Sequence, residues 1–132
     1  MEIEHIGYAV ADIDKSLQKF LELGYTVNSK LFEDNARGIK IIFVKNGAYR
    51  VELIAPNKEN SPVDSILSKN GCSPYHICYR VDDIDQSVKE LKTKGYVVIK
   101  PKSLAIAFSE NTDKNVVFLY NKNMGLVELV ES

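Results

Sequence analysis

Residues 5–27, HIGYAVADIDKSLQKFLELGYTV, recur as residues 76–98, HICYRVDDIDQSVKELKTKGYVV, at an offset of 71. Eleven of these 23 positions are identical, among them His5/His76, Tyr8/Tyr79, Asp12/Asp83, Ser16/Ser87 and Gly24/Gly95. Unrelated segments of mixed composition share about one or two. The far ends correspond as well, because Val51-Glu52-Leu53 matches Val127-Glu128-Leu129 after a further shift of five residues that loops absorb. Each half is therefore one copy of a module. A chain of 132 residues has room for one domain built from both copies and for no second full one.

Within a copy, Ile6, Tyr8 and Val10 alternate with His5, Gly7 and Ala9, the period of a half-buried strand. A helix follows, with Asp12 or Asp14 as N-cap, an apolar stripe of Ile13, Leu17, Phe20 and Leu21, and Gly24 as the stop. The second copy repeats this with Ile84, Val88, Leu91 and Gly95. Three further strands are expected near Thr26–Leu31, Ile39–Val44 and Tyr49–Ile54, the last two joined by a turn at Asn46-Gly47. Ser61-Pro62 supplies an N-cap and first-turn proline for a linker helix that carries Ile66 and Leu67 and ends at Asn70-Gly71. The expected fold is α+β, a single domain over 1–132 with βαβββ modules at 1–56 and 72–132 and the linker helix within 57–71.

Composition narrows the function. With 45% hydrophobic and 27% charged residues the chain can bury a core, which excludes wholesale disorder. Seventeen basic residues nearly balance 18 acidic ones and no basic tract occurs, so nucleic acid is not the expected partner. No apolar run approaches the roughly 20 residues that span a bilayer, and Met1 to His5 carries no basic lead. A cytoplasmic protein with no membrane partner is expected. Cys72 and Cys78 fit neither a disulfide framework nor a C-x-x-C redox pair.

If helices cover the face of Ile6, Tyr8 and Val10 and of its copy Ile77, Tyr79 and Val81, then His5 and His76 point the other way. By the same period, Val51 and Leu53 face a helix while Glu52 does not, and Glu128 repeats this between Val127 and Leu129. A lone strand histidine is ordinarily a hydrogen-bonded bystander. The chain has only two histidines, however, and random placement would make them repeat-equivalent about once in a hundred trials. A mid-strand carboxylate between apolar neighbours is costly unless its charge is compensated. His5, Glu52, His76 and Glu128 thus form a candidate ligand set for one divalent metal ion, with zinc, nickel, cobalt, manganese and iron all compatible. The absence of thiolate argues against a closed structural zinc site.

The paired βαβββ halves, His-Ile at each strand start and Val-Glu-Leu at each module end resemble the vicinal oxygen chelate superfamily over essentially the whole chain. The resemblance implies the glyoxalase fold, a cupped mixed sheet around a metal held by those four residues. Residues 116–129, VVFLYNKNMGLVEL, are similar to the V-x-F-L-x-P-K-x-x-G-x-L-x-E-L ending of methylmalonyl-CoA epimerases, with Asn121 where that pattern has proline.

A metal that binds two neighbouring substrate oxygens favours proton transfer at the adjacent carbon. Glu128 is the candidate base, with Glu52 or a water serving the opposite face, giving epimerisation or 1,2-isomerisation. Arg50 and Arg80, in register with the ligands, are candidate clamps for an anionic thioester or hemithioacetal, and Lys40 is a further candidate. Lys100, Lys102 and Lys114 are candidates for phosphates of a coenzyme A carrier, and Cys78 is expected to be an inert buried thiol. Glyoxalase I, a lyase, shares the four-ligand pattern and is the alternative enzyme, although its Leu-Gly-Met segment is missing here. A non-catalytic binding protein similar to bleomycin resistance proteins is the alternative of another class. A homodimer is the expected assembly.

Overall fold

A computed structural model describes residues 1–105 and 114–132. The chain divides into two compact units, His5–Tyr75 on one hand and His76–Ser132 with Met1–Glu4 on the other.

The first unit contains most of β1 (Glu2–Ala9), then α1 (Ile13–Glu22), β2 (Thr26–Val27), β3 (Phe32–Asp34), β4 (Ile39–Asn46), β5 (Tyr49–Pro56) and α2 (Asp64–Asn70). β1 lies parallel to β5, β5 antiparallel to β4, and both β2 and β3 pair with β4. The parallel β1–β5 pair requires a crossover, which α1 begins. Asp12 is the N-cap of α1, its Oδ1 accepting from the Lys15 N–H at 2.9 Å. The helix ends at Leu23 before Gly24, whose φ of 94° suits glycine far better than any residue with a Cβ. Val10, Ile13, Ile42, Val44, Val51, Leu53 and Ala55 form the core under α1, with Tyr8, Leu17, Phe20 and Tyr25 against it. Alternate residues of β1, β4 and β5 therefore face the helix, as the period of two predicts.

Three local expectations need correction here. The single strand over 26–31 is two short ones, because five residue steps from Val27 to Phe32 face only three from Val44 to Ile41. In the gap the Ser29 hydroxyl takes over a ladder position, accepting from the Phe43 N–H at 2.9 Å. The β4–β5 turn is centred on Gly47-Ala48 rather than Asn46-Gly47, since Asn46 still pairs with Tyr49. Gly47 has φ 59° and Ala48 is not positive, the pattern of a type II′ turn. Finally, α2 has Val63 at its N-cap position and no side-chain cap. Ser61 does not cap it, because its hydroxyl donates to the Gly38 carbonyl at 2.8 Å and its N–H donates to the Asp64 carboxylate at 2.8 Å.

The second unit repeats the plan with β6 (Ser73–Val81), α3 (Ile84–Lys92), β7 (Val97–Ala105), β8 (Lys114–Asn121) and β9 (Gly125–Glu131). β6 is parallel to β9, β9 antiparallel to β8, and β8 antiparallel to β7. Asp83 caps α3 as Asp12 caps α1, accepting from the Gln86 N–H at 3.0 Å. Val81, Ile84, Val117, Leu119, Val127 and Leu129 form its core, the repeat counterpart of the first. Among the described residues no helix is long and apolar enough to cross a membrane.

Both caps use one aspartate oxygen on one orphan N–H. Asp12→Ala should therefore cost about 1 kcal/mol and lower Tm by roughly 2–6 °C. Thermal unfolding followed by circular dichroism checks this, with Asp14→Ala as the comparison expected to change less.

Candidate functional site

Each unit builds the same small cluster on the strand face turned from its helix. In the first, β1 and β5 place Gly7 beside Glu52, so that His5, one alternation away, shares the face of Glu52. His5 Nε2 lies 3.4 Å from Glu52 Oε1, and the two residues are 1% and 4% exposed. On β4, Phe43 pairs directly with Glu52 and packs edge-on against the His5 ring, centroids 5.3 Å apart.

The second unit matches it part for part. Cys78 on β6 pairs with Glu128 on β9, and His76 lies one alternation from Cys78. His76 Nε2 lies 3.7 Å from Glu128 Oε1, both residues being 3% exposed. Phe118 on β8 pairs with Glu128 and meets the His76 ring edge-on at 5.4 Å. The two phenylalanines were not among the sequence candidates. The signal was available, since each precedes its glutamate by nearly the same interval on the preceding strand of its hairpin.

The donor chemistry suits a divalent ion. Each of the four residues offers one ligand-type atom and each is buried. Separations of 3.4 and 3.7 Å exceed a charge-assisted hydrogen bond. Two donors about 2.0–2.2 Å from a common ion stand about 3 Å apart at right angles and further apart at tetrahedral angles. Each imidazole–carboxylate spacing is thus close to that of neighbouring ligands. Mixed nitrogen and oxygen donors without thiolate fit zinc, nickel, cobalt, manganese or iron.

Among the candidate substrate residues, Arg50 alone sits beside a half-site in a fixed pose. Its guanidinium lies 3.6 Å from the centre of the Phe43 ring and its Nε donates to Asn28 Oδ1 at 2.9 Å. Lys40 is a correction: it pairs with Ala55, a residue of the helix-side core, and its Nζ is 3.9 Å from Glu33. It is therefore on the opposite face from Glu52. Arg80 lies on the expected face and is ion-paired there. Its register matches the face of Cys78 and Val130, but its guanidinium donates to Glu4 at 2.9 Å and to Glu2 at 3.1 Å. The hydrogen bond to Glu4, assisted by the charges of Glu4 and Glu2, raises the Arg80 pKa above the usual guanidinium value. That arginine is committed to an ion pair at the end of its strand.

Lys102 is likewise engaged, with Asp85 at 3.1 Å, while the Lys100 ammonium lies 5.7 Å from the Phe118 ring centre. Neither Cys72 nor Cys78 forms a disulfide, as the sequence suggests; the first is exposed and the second is fully buried with Ala105, Val116 and Val130.

Known proteins show the same plan. The family model of the glyoxalase/bleomycin resistance protein/dioxygenase superfamily matches residues 4–118. The ethylmalonyl-CoA/methylmalonyl-CoA epimerase of Cereibacter sphaeroides is 32% identical over 134 residues, covering 96% of this chain and 95% of that protein. The mitochondrial methylmalonyl-CoA epimerase of Homo sapiens is 31% identical over 133 residues, covering 98% and 73% respectively. A variant of Streptomyces coelicolor methylmalonyl-CoA epimerase, solved in complex with 2-nitronate-propionyl-CoA, superposes with a TM-score of 0.81 at 26% identity over 100% of this chain and 97% of that one. The duplicated βαβββ plan of an α+β glyoxalase fold, the repeated histidine–glutamate pairs and these likenesses agree, and the chain belongs to the glyoxalase/bleomycin resistance protein/dioxygenase superfamily.

Proposed function

We propose that this chain is a divalent-metal-dependent epimerase that moves a proton on the carbon between the thioester and the carboxylate of a malonyl-type acyl-CoA. His5, Glu52, His76 and Glu128 together hold one ion in this reading. The observation that carries it is the duplicated buried imidazole–carboxylate pair, one in each unit. Its substrate class is taken from the relatives, which are named as methylmalonyl-CoA epimerases.

When bound, the ion supplies positive charge that offsets negative charge developing on the substrate oxygens. The protein's own groups move the proton. Glu128 takes it from the carbon, and the electron pair left behind spreads onto the thioester oxygen. Glu52, having taken a proton from solvent, or a water returns a proton to the opposite face, and Glu128 then releases its proton to solvent. Glu128 is 3% exposed and has Phe118 as its register neighbour, so little bulk water competes for the proton in transit. Phe43 and Phe118 position the rings of His5 and His76 through edge-on contacts.

The test is solvent-deuterium exchange. Protein loaded with cobalt or zinc should incorporate deuterium at the acidic carbon of methylmalonyl-CoA and interconvert its epimers. Loaded protein that exchanges neither methylmalonyl-CoA nor ethylmalonyl-CoA, yet converts a glutathione hemithioacetal, would move the chain to glyoxalase I chemistry. No exchange of any of these would end the enzymatic reading.

A further inference from the structure

Three strands of the second unit line up a row of side chains beside its half-site. β7 and β8 pair Val97 with Tyr120, and β8 and β9 pair Tyr120 with Leu126. Alternation fixes the face of this row. Their chain neighbours Val98, Leu119 and Val127 pack in the helix-side core, so Val97, Tyr120 and Leu126 look the other way, with Phe118 and Glu128. The row stands two residues from Phe118 and Glu128 along β8 and β9, a step of about 6.7 Å. It is not core, because Val97 is 55% and Tyr120 44% exposed. Open apolar side chains one step from a buried polar cluster are suited to the apolar part of a bound molecule.

The same row of the first unit is polar. Its repeat counterparts are Thr26, Lys45 and Arg50, paired in the same way. The module therefore folds without apolar residues at these places. A ligand set repeated in both modules does not by itself distinguish the two ends of a bound molecule. Positions that differ between modules must do so, and here the second module offers two alkyl groups and a phenol ring where the first offers a hydroxyl and two cations.

We propose that Val97, Tyr120 and Leu126 form the subsite for the carrier segment that follows the sulfur of a thioester substrate, and so set the direction in which the substrate lies. This subsite rests on the acyl-CoA reading of the function and names the residues that meet the carrier. Reach supports that occupant. Four bonds lead from the acidic carbon through the carbonyl and sulfur to the second methylene of the carrier, comparable with the strand step of about 6.7 Å, whereas the methyl branch is one bond long. Exposure supports it too, since a long carrier must run on from the buried site into solvent. The Tyr120 ring is able to cover methylenes while its hydroxyl stays wet.

NMR titration of the metal-loaded protein with S-propionyl-pantetheine, which has the carrier arm but neither phosphate on the arm nor a free carboxylate, and separately with methylmalonate, tests this without turnover. Tyr120→Ser and Val97→Ser should each weaken thioester binding about five- to tenfold and leave methylmalonate affinity unchanged, with Tyr120→Phe keeping most of the affinity. Thr26→Val, at the counterpart position of the first unit, should change neither. Val97 and Tyr120 are exposed, so Tm should stay close to that of the unsubstituted protein, which separates lost binding from lost folding. Thioester affinity unchanged in both serine variants would overturn the subsite, even with deuterium exchange on methylmalonyl-CoA intact. An equal loss for methylmalonate would overturn it too, assigning the effect to the ion site. Protein that binds the thioester through this row yet catalyses no exchange would sink the epimerase reading and leave the subsite standing.

Discussion

Glu128→Gln should abolish proton exchange on methylmalonyl-CoA, with kcat falling by about 10²–10⁴. Glutamine keeps the size of the side chain and an oxygen able to approach a cation, but its amide does not accept a proton at neutral pH. The mid-strand site is densely built, with Phe118 and Cys78 as the register neighbours of Glu128 on the two flanking strands. An isosteric change there leaves packing nearly intact. Retention of exchange in protein shown to keep its metal would place the base elsewhere. Glu52→Gln is the companion variant, expected to slow return of the proton to the second face more than removal from the first. Comparing deuterium wash-in from each epimer separates the two effects.

Stripping divalent metal with a chelator should remove activity completely and lower stability as well. The folded chain holds Glu52 and Glu128 at 4% and 3% exposure, each with a buried imidazole as neighbour. Burying carboxylates is costly without compensating charge, so a cation that binds the folded state alone contributes strongly. At a free concentration a thousand times Kd the contribution is about 4 kcal/mol, equivalent to a Tm difference on the order of 10–20 °C for a chain of this size. Calorimetric scans of stripped and reloaded protein measure it directly. Equal Tm in both forms, together with undiminished exchange, would mean that no ion belongs to this site.

Much of the fold was legible because duplication and period-two alternation are local properties. The repeat defined the two βαβββ modules, and alternation around Tyr8, Val51 and Leu53 assigned the helix-covered face that their core confirms. The same alternation placed His5 with Glu52 and His76 with Glu128. What alternation does not contain is register between strands, which depends on turns. Lys40 illustrates this, since only its pairing with Ala55, counted back from the Gly47-Ala48 turn, reveals that it lies on the helix side. Arg80 illustrates a second gap. Its face was predicted, but the glutamates that bind it come from residues 2 and 4, far away in the chain. Phe43, Phe118 and Tyr120 acquire their meaning only through cross-strand pairing. Ser61 was misassigned because a serine before a helix has other partners to choose from, and the Gly38 carbonyl won.

The central claim is that two half-sites, one from each copy of the repeat, share a single ion. Metal content of the purified, reloaded chain, measured by mass spectrometry beside the His5→Ala and His76→Ala variants, addresses it most directly. One divalent ion per chain, lost in either variant alone, is the predicted result. Two ions per chain, or an ion retained in full when one histidine is removed, would contradict it.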